Sequence, residues 1–216
     1  MSENTATRAR QNTRGRILDA CRGLFNERGP ADVTTAQIAA TVGINEGNLY
    51  YHFNRKEQIL EALFGEFEQA LREVAAGGSD PERYGDYLSG WFRLMWKWRF
   101  FYRDGGLVYR LAPSLLPRLQ ALSDHGQDQV RRVLEGQSRA GLIEATPGEI
   151  EQLIVNAWIV ATYWIDYLRS RHGVVEITRE HVHWGALQVM SLFRPYLTPT
   201  GLAMLSIKPE RSAPPL

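Results

Sequence analysis

Thr35-Ala-Gln-Ile-Ala-Ala-Thr-Val-Gly-Ile-Asn-Glu-Gly-Asn-Leu-Tyr-Tyr-His52 places apolar residues at Ile38, Val42, Ile44 and Leu49, a small residue at Ala39 and a glycine at Gly43. Each position is restricted for a physical reason. Ala39 leaves room for a second helix to cross the first. Gly43 can take the left-handed conformation that turns the chain without a Cβ penalty. The apolar set closes a small core between two short helices and a preceding one. Thr34, with Gln37 three residues on, caps a helix over 35–42, and Asn45 caps one over 46–51. The spacing predicts a helix-turn-helix. The alternative is a helical hairpin inside a larger bundle.

Outward from this stretch the signals stay helical. Ile17, Leu18, Cys21, Leu24 and Phe25 form one stripe over 13–27, ended by Gly29-Pro30. Cys21 lies inside that stripe and reads as a small core residue rather than a nucleophile. A longer helix is predicted over 55–76, after which Gly77-Gly78-Ser79-Asp80-Pro81 marks a domain boundary. Asn54 with Glu57, Ser79 with Glu82 and Thr146 with Glu149 repeat the capping-box signature. Pro81 and Pro147 sit where a first-turn proline costs nothing. Further helices are predicted over 84–103, 117–140, 147–171 and 178–196, with no alternating run of strand length. The expected fold class is all-α: an N-terminal three-helix helix-turn-helix domain and a larger helical domain, about nine helices in all. The expected organisation is a flexible basic arm at 1–12, the helix-turn-helix domain with its connecting helix at 13–76, a second domain at 77–207 and a disordered Pro-rich tail at 208–216.

The chain has 216 residues, 44% hydrophobic and 23% charged, values that exclude a disordered or collagen-like polymer. The 25 Lys+Arg and 24 Asp+Glu nearly cancel, so whole-chain charge selects no partner. Its distribution says more. Arg8, Arg10, Arg14, Arg16, Arg22, Arg28, Arg55 and Lys56 outnumber Glu3, Asp19, Glu27, Asp32 and Glu46 in the first quarter of the chain, as when one end meets a polyanion. One cysteine excludes an internal disulfide and a Cys-cluster zinc site. His181 and His183, two apart on a helix, point to different faces and make a poor metal pair; no metal and no cofactor are expected. No His-Glu-x-x-His, nucleophile elbow, P-loop or dinucleotide glycine run is present, so the chain reads as non-enzymatic. The polar N-terminus lacks a signal-peptide core, and the run Leu153 to Ile165 falls short of the ~20 residues a membrane span needs. A cytoplasmic protein with no membrane partner is expected.

Val33-Thr-Thr-Ala-Gln-Ile-Ala-Ala-Thr-Val-Gly-Ile-Asn-Glu-Gly-Asn-Leu-Tyr-Tyr-His-Phe-Asn-Arg-Lys-Glu-Gln-Ile-Leu60 resembles the DNA-binding region of tetracycline-repressor-like (TetR-family) transcriptional regulators. The most specific part is Gly47-Asn-Leu-Tyr-Tyr-His-Phe-Asn-Arg-Lys-Glu57. The motif resemblance covers residues 13–63; beyond it, length and helix count fit the family's divergent ligand-binding domain. The resemblance implies a homodimer, a pseudo-palindromic double-stranded DNA operator, and repression relieved by a small-molecule effector. It also implies that Tyr50, Tyr51 and His52 contact phosphate at the end of the recognition helix. Thr34 and Thr35, at a helix N-terminus, offer donors to phosphate, and Lys56 adds its charge at another. Glu46, Gly47 and Asn48 face the bases, where Glu accepts from cytosine N4 and Asn pairs with adenine. The family often has a basic or amide residue where Ala36 and Glu46 stand here. The segment from Arg8 to Arg16 fits an arm following the minor groove or backbone, and equally a solvated tail.

In the second domain Trp91, Met95, Trp96, Phe100, Tyr102, Trp158, Tyr163 and Tyr167 are candidates to line a pocket for a largely apolar molecule. The same aromatics fit plain core packing. Over 147–171, Ile150, Leu153, Ile154, Ala157, Ala161, Trp164 and Leu168 form one stripe, and Val155, Trp158, Ile159 and Tyr163 form another. A two-faced helix packs on its own domain and on a partner. The expected face between copies is Ile154, Ala157, Ala161, Trp164, Leu168, Ala186, Val189 and Phe193, with Gly185 and Ala186 allowing close approach. Two other readings stay open. One is a ligand-independent DNA-binding regulator controlled by a protein partner, which a domain without a cavity would favour. The other is a helical enzyme, which needs an acid/base or metal site that the sequence does not display.

Overall fold

The computed structural model describes residues 2–77 and 84–205. The capping box at Ser79 and Glu82 and the tail at 208–216 lie outside the described residues. Among the described ones the chain forms α1 (Ser2–Arg28), α2 (Thr35–Val42), α3 (Glu46–His52), α4 (Lys56–Ala76), α5 (Tyr84–Lys97), α6 (Arg99–Arg103), α7 (Gly105–Leu111), α8 (Leu115–Arg139), α9 (Pro147–His172), α10 (Arg179–Phe193) and α11 (Pro199–Leu205). Their extended pairing is confined to one isolated antiparallel bridge, Ile143 with Leu197. The all-α reading holds.

Several elements differ from expectation. α1 starts at Ser2, so residues 2–12, expected as a flexible arm, are helical. No Gly or Pro precedes Gly15, and a helix anchored at Ile17 and Leu18 propagates backward at little cost. The single helix expected over 84–103 is broken at Trp98 (φ −118°, ψ 25°), whose side chain is fully buried. The break leaves the N–H of Phe100 without a helical partner, and Asn26 Oδ1 accepts it at 3.1 Å. The Asn54 cap is also different in detail. Its N–H donates to Gln58 Oε1 at 2.8 Å, while Glu57 pairs with Arg55 at 3.6 Å.

The chain folds into two compact units, Met1–Gln69 with Trp98–Leu119, and Ala70–Lys97 with Gln120–Leu216. The division falls inside α4 rather than at Gly77, and the segment Trp98–Leu119 joins the first unit. Packing explains why. In that unit Ile17, Cys21 and Phe25 of α1, Ile38 of α2, Leu49 of α3 and Leu60, Leu63 and Phe64 of α4 are buried, together with Trp98, Phe100 and Phe101. Phe25 meets Phe100 edge-on at 5.6 Å, and Phe64 meets Phe101 edge-on at 5.6 Å. Phe67 lies between Trp98 (5.8 Å), Phe101 (5.0 Å) and Tyr102 (6.0 Å). Arg103 closes the end of α1: its guanidinium donates to the carbonyls of Phe25 at 2.7 Å and Asn26 at 2.9 Å, and Asp104 accepts from it at 2.7 Å. Phe100 and Tyr102, expected in a pocket of the second domain, are therefore core of the first unit. Burial pushes the Tyr102 phenol pKa well up.

In the second unit α9 and α10 pack closely because Gly185 lies under Trp164; a Cβ there would stand 2.5 Å from the ring. Thr146 and Glu149 form the expected box at the start of α9. Thr178 caps α10 in the same way with His181, whose Nδ1 accepts the Thr178 N–H at 3.0 Å. Leu134, Ile143, Ile150 and Ile154 form a buried cluster with Phe193 and Leu197 packed against it. The chain leading to α11 is tied down by Thr198 N–H on the Leu142 carbonyl at 3.0 Å and Glu144 N–H on the Tyr196 carbonyl at 2.8 Å.

Candidate nucleic-acid interface

The turn that aims α3 is built from local chemistry. Thr34 and Gln37 cap α2 reciprocally, at 3.2 and 2.9 Å. Gly43 ends it in the left-handed region (φ 72°, ψ 39°), with its own N–H on Ala40 O and the N–H of Ile44 on Ala39 O. Arg16 of α1 donates to the Val42 carbonyl at 2.5 Å, closing the same end of α2. Asn45 Oδ1 then accepts the N–H of Asn48 at 2.7 Å and starts α3. Leu49 is fully buried and is the only buried residue of α3. Glu46, Gly47, Asn48, Tyr50 and Tyr51 are exposed as a consequence.

Around this face the structure brings together most of the expected DNA-contacting residues. Thr35 Oγ1 donates to Glu46 Oε2 at 3.1 Å and lies 3.3 Å from the Tyr50 hydroxyl. Tyr51 and His52 meet edge-on at 5.4 Å. Lys56 is half-buried, and its Nζ donates to the Pro30 carbonyl at 2.6 Å. Burial lowers its pKa, opposed by Asp32 and Cys21. Thr34 spends its hydroxyl lone pair on its cap. The cross-helix contacts of Thr35 were not foreseen from sequence; no spacing rule pairs residues on the two sides of a turn. Arg14 and Arg16 each make a contact within the unit, Arg14 lying over the Phe53 ring at 4.9 Å and Arg16 on the Val42 carbonyl.

Cys21 of α1 is buried, and burial pushes its thiol pKa up to about 12, against the opposing charge of Lys56. It is a core residue, as its stripe implied.

In the second unit the expected sites change. Ile154, Trp164, Leu168 and Ala186, expected between copies, are buried inside the unit, and Phe193 packs on the Ile150–Ile154 cluster. Ala157, Ala161 and Val189 are half-buried. The stripe of α9 left open is Val155 (50% exposed), Ile159 (49%), Tyr163 (59%) and Tyr167 (49%). Tyr163 and Tyr167 therefore stand outside any internal pocket; Tyr167 stacks on Trp184 at 6.0 Å. Trp164 of the first stripe is turned inward because Gly185 of α10 leaves room for its ring. Met95 is buried, while Trp91, Trp96 and Trp158 are half-buried. Trp91 meets Tyr87 edge-on at 6.0 Å, and Arg179 lies over Trp96 at 5.3 Å. Among the described residues no group of acidic, His or Cys side chains could hold a metal ion, and no helix is long and apolar enough to cross a membrane.

Comparison with known proteins agrees with this geometry. Residues 17–63 match the family described as bacterial regulatory proteins, tetR family, and residues 64–205 match the one described as bacterial transcriptional repressor. Over 71 residues, 33% of the chain, it is 38% identical to the uncharacterized HTH-type transcriptional regulator TtgW of Pseudomonas putida, covering 52% of that protein. The match to the regulator SrpR of the same species is also 38% identical over 71 residues and covers 33% of that protein. The matched segment thus spans about half or less of these curated relatives. A TetR-family transcriptional regulator from Marinobacter aquaeolei superposes with a TM-score of 0.78 at 30% identity, over 89% of this chain and 95% of that one. SmeT, the repressor of the Stenotrophomonas maltophilia multidrug efflux pump SmeDEF, shares the fold alone, at 17% identity and a TM-score of 0.54, over 94% of this chain and 96% of that one.

Proposed function

Because the chain belongs to the TetR family of bacterial transcriptional regulators, we propose that it is a homodimeric repressor that binds a pseudo-palindromic operator through α3 and releases it on binding a small, largely apolar effector. Members of this family regulate transcription by binding DNA and are not enzymes.

The observation that carries the DNA reading is the exposed face of α3. A seven-residue helix anchored by Leu49 alone presents Glu46, Gly47 and Asn48 outward on one side and Tyr51 and His52 at its end. Glu46, Gly47 and Asn48 face base edges, while Tyr51, His52 and Lys56 lie along the phosphates. Two such helices, one per protomer, read two half-sites. The exposed stripe Val155, Ile159, Tyr163 and Tyr167 on α9 supplies the apolar face that a second copy covers. For the effector the candidates are Trp91, Met95, Trp96 and Trp158, which belong to the second unit and are buried or half-buried there. An effector acts only by binding one of the two states of the dimer better, and about 1–3 kcal/mol of such coupling changes operator affinity roughly 5–150-fold.

The test is selection of bound duplexes from a random pool, followed by titration of the selected duplex against salt and against a library of apolar compounds. The expected outcome is a pseudo-palindrome, affinity falling steeply with salt, and release by at least one compound. Salt-independent binding would remove the DNA assignment, and operator binding unmoved by the whole library would remove the effector.

A further inference from the structure

We propose that Glu46 is a base-selecting residue of α3, accepting from the N4 amino group of cytosine, and that Thr35 and Tyr50 are positioning residues that hold its carboxylate rather than donors to phosphate. This rests on the reading that α3 enters the major groove.

The geometry comes first. Thr35 Oγ1 donates to Glu46 Oε2 at 3.1 Å and lies 3.3 Å from the Tyr50 hydroxyl. A threonine hydroxyl has one proton. With that proton on the carboxylate, the hydrogen in the second contact is the one Tyr50 carries. The donors therefore run Tyr50 to Thr35 to Glu46. Tyr50 has one phenolic proton, and here it is spent inside the protein; what it turns outward is lone pairs, which repel a phosphate oxygen. Thr35 is the first residue of α2, directly after the Thr34–Gln37 box, so the anchor of this relay is itself fixed. The relay ties the first residue of α2 to the first and fifth residues of α3, and it fixes one rotamer of a side chain that is otherwise exposed.

The chemistry of the major groove then selects a partner. An ionised carboxylate only accepts. Guanine presents N7 and O6 acceptors, thymine an O4 acceptor, and adenine an amino group beside the N7 acceptor; cytosine presents its amino donor. Glu46 is the only acidic residue of α3. Its charge is repelled by the phosphates of every sequence alike, so it weakens non-specific binding, and a cytosine amino group offsets that repulsion only at the right site.

The test uses the full chain and random duplex pools, with Glu46→Gln, Thr35→Val, Thr35→Ser and Tyr50→Phe, each first checked for retained helicity. Wild type is expected to enrich a C·G pair at one symmetric position of each half-site. Glu46→Gln should lose that preference and turn toward adenine, because an amide both donates and accepts. Its discrimination between the selected duplex and one with that pair changed to T·A should fall on the order of tenfold, while its affinity for a mixed-sequence duplex rises. Thr35→Val and Tyr50→Phe should lower discrimination with the salt dependence unchanged, and Thr35→Ser should restore it. If Glu46→Gln enriches the same sequences as wild type, base selection by Glu46 is wrong. If Thr35→Val and Tyr50→Phe weaken all duplexes equally and flatten the salt dependence, they are phosphate donors and the positioning role is wrong. If wild type enriches no sequence at all, it is the reading of α3 that fails.

Discussion

On the proposed function, Lys56 would put one ammonium group to two uses. One N–H is committed to the Pro30 carbonyl at 2.6 Å, which holds the loop between α1 and α2, and two remain for a phosphate oxygen. Lys56→Ala is therefore expected to weaken binding to every duplex alike and to reduce the slope of log affinity against log salt by about 1. It should also cost about 1 kcal/mol of stability through the lost carbonyl contact. Anisotropy titrations across a salt series separate the two effects; an unchanged slope would confine the ammonium to Pro30. At this scale the sequence is most readable where the chemistry is local. The cap pair Thr34 and Gln37 and the left-handed Gly43 follow from neighbours three or four residues away. The Thr178 cap went unread because its partner is His181 rather than Glu or Gln, although an imidazole nitrogen accepts the same N–H. The Thr35–Glu46–Tyr50 relay was unreadable for another reason: it depends on how two helices face each other across a turn.

Helices pack where their smallest residues let them. Gly185 lies so close to Trp164 that an added Cβ would stand 2.5 Å from the indole, so α9 and α10 must separate or the ring must leave its place. Gly185→Ala should destabilise the protein by about 1–3 kcal/mol despite the better helix propensity of alanine. Urea unfolding measures this, and a neutral result would mean that the indole moves freely. The stripe containing Trp164 was legible as apolar, but which apolar stripe faces inward depends on the neighbour, and periodicity cannot name the neighbour. The continuous helix expected over 84–103 failed for the same kind of reason. Burial of Trp98 and the waiting acceptor Asn26 make a break at Trp98 better than a straight helix. α11 was not foreseen; it is short, and what holds its start is the bonding of Thr198 to Leu142, distant in sequence.

For the molecule as a whole, the open stripe on α9 predicts the assembly. Ile159→Asp with Tyr163→Asp places charge where about half of each side chain is already solvated, so the single chain should keep its helicity. A dimer that buries these side chains should not survive. Sedimentation is expected to show monomers, with operator affinity falling toward that of a half-site; a variant that stays dimeric at micromolar concentration would move the interface elsewhere. The helix-turn-helix and the all-helical architecture were legible from residues 33–60 and from the capping signatures. The partition into units was not, because Gly77–Pro81 is a break in composition, whereas the units are set by which aromatics pack together.

That partition has a practical consequence for dissecting the protein. A fragment cut after Ala76 would keep α1 to α4 yet lose Trp98, Phe100 and Phe101, baring Phe25, Phe64 and Phe67, and it would leave the final carbonyls of α1 without the Arg103 guanidinium. Such a piece is a poor candidate for an autonomous module. Chimaeras that graft these first helices onto another regulator need to carry the stretch from Trp98 to Leu119 with them, since the first compact unit of this chain is written in two separated passages.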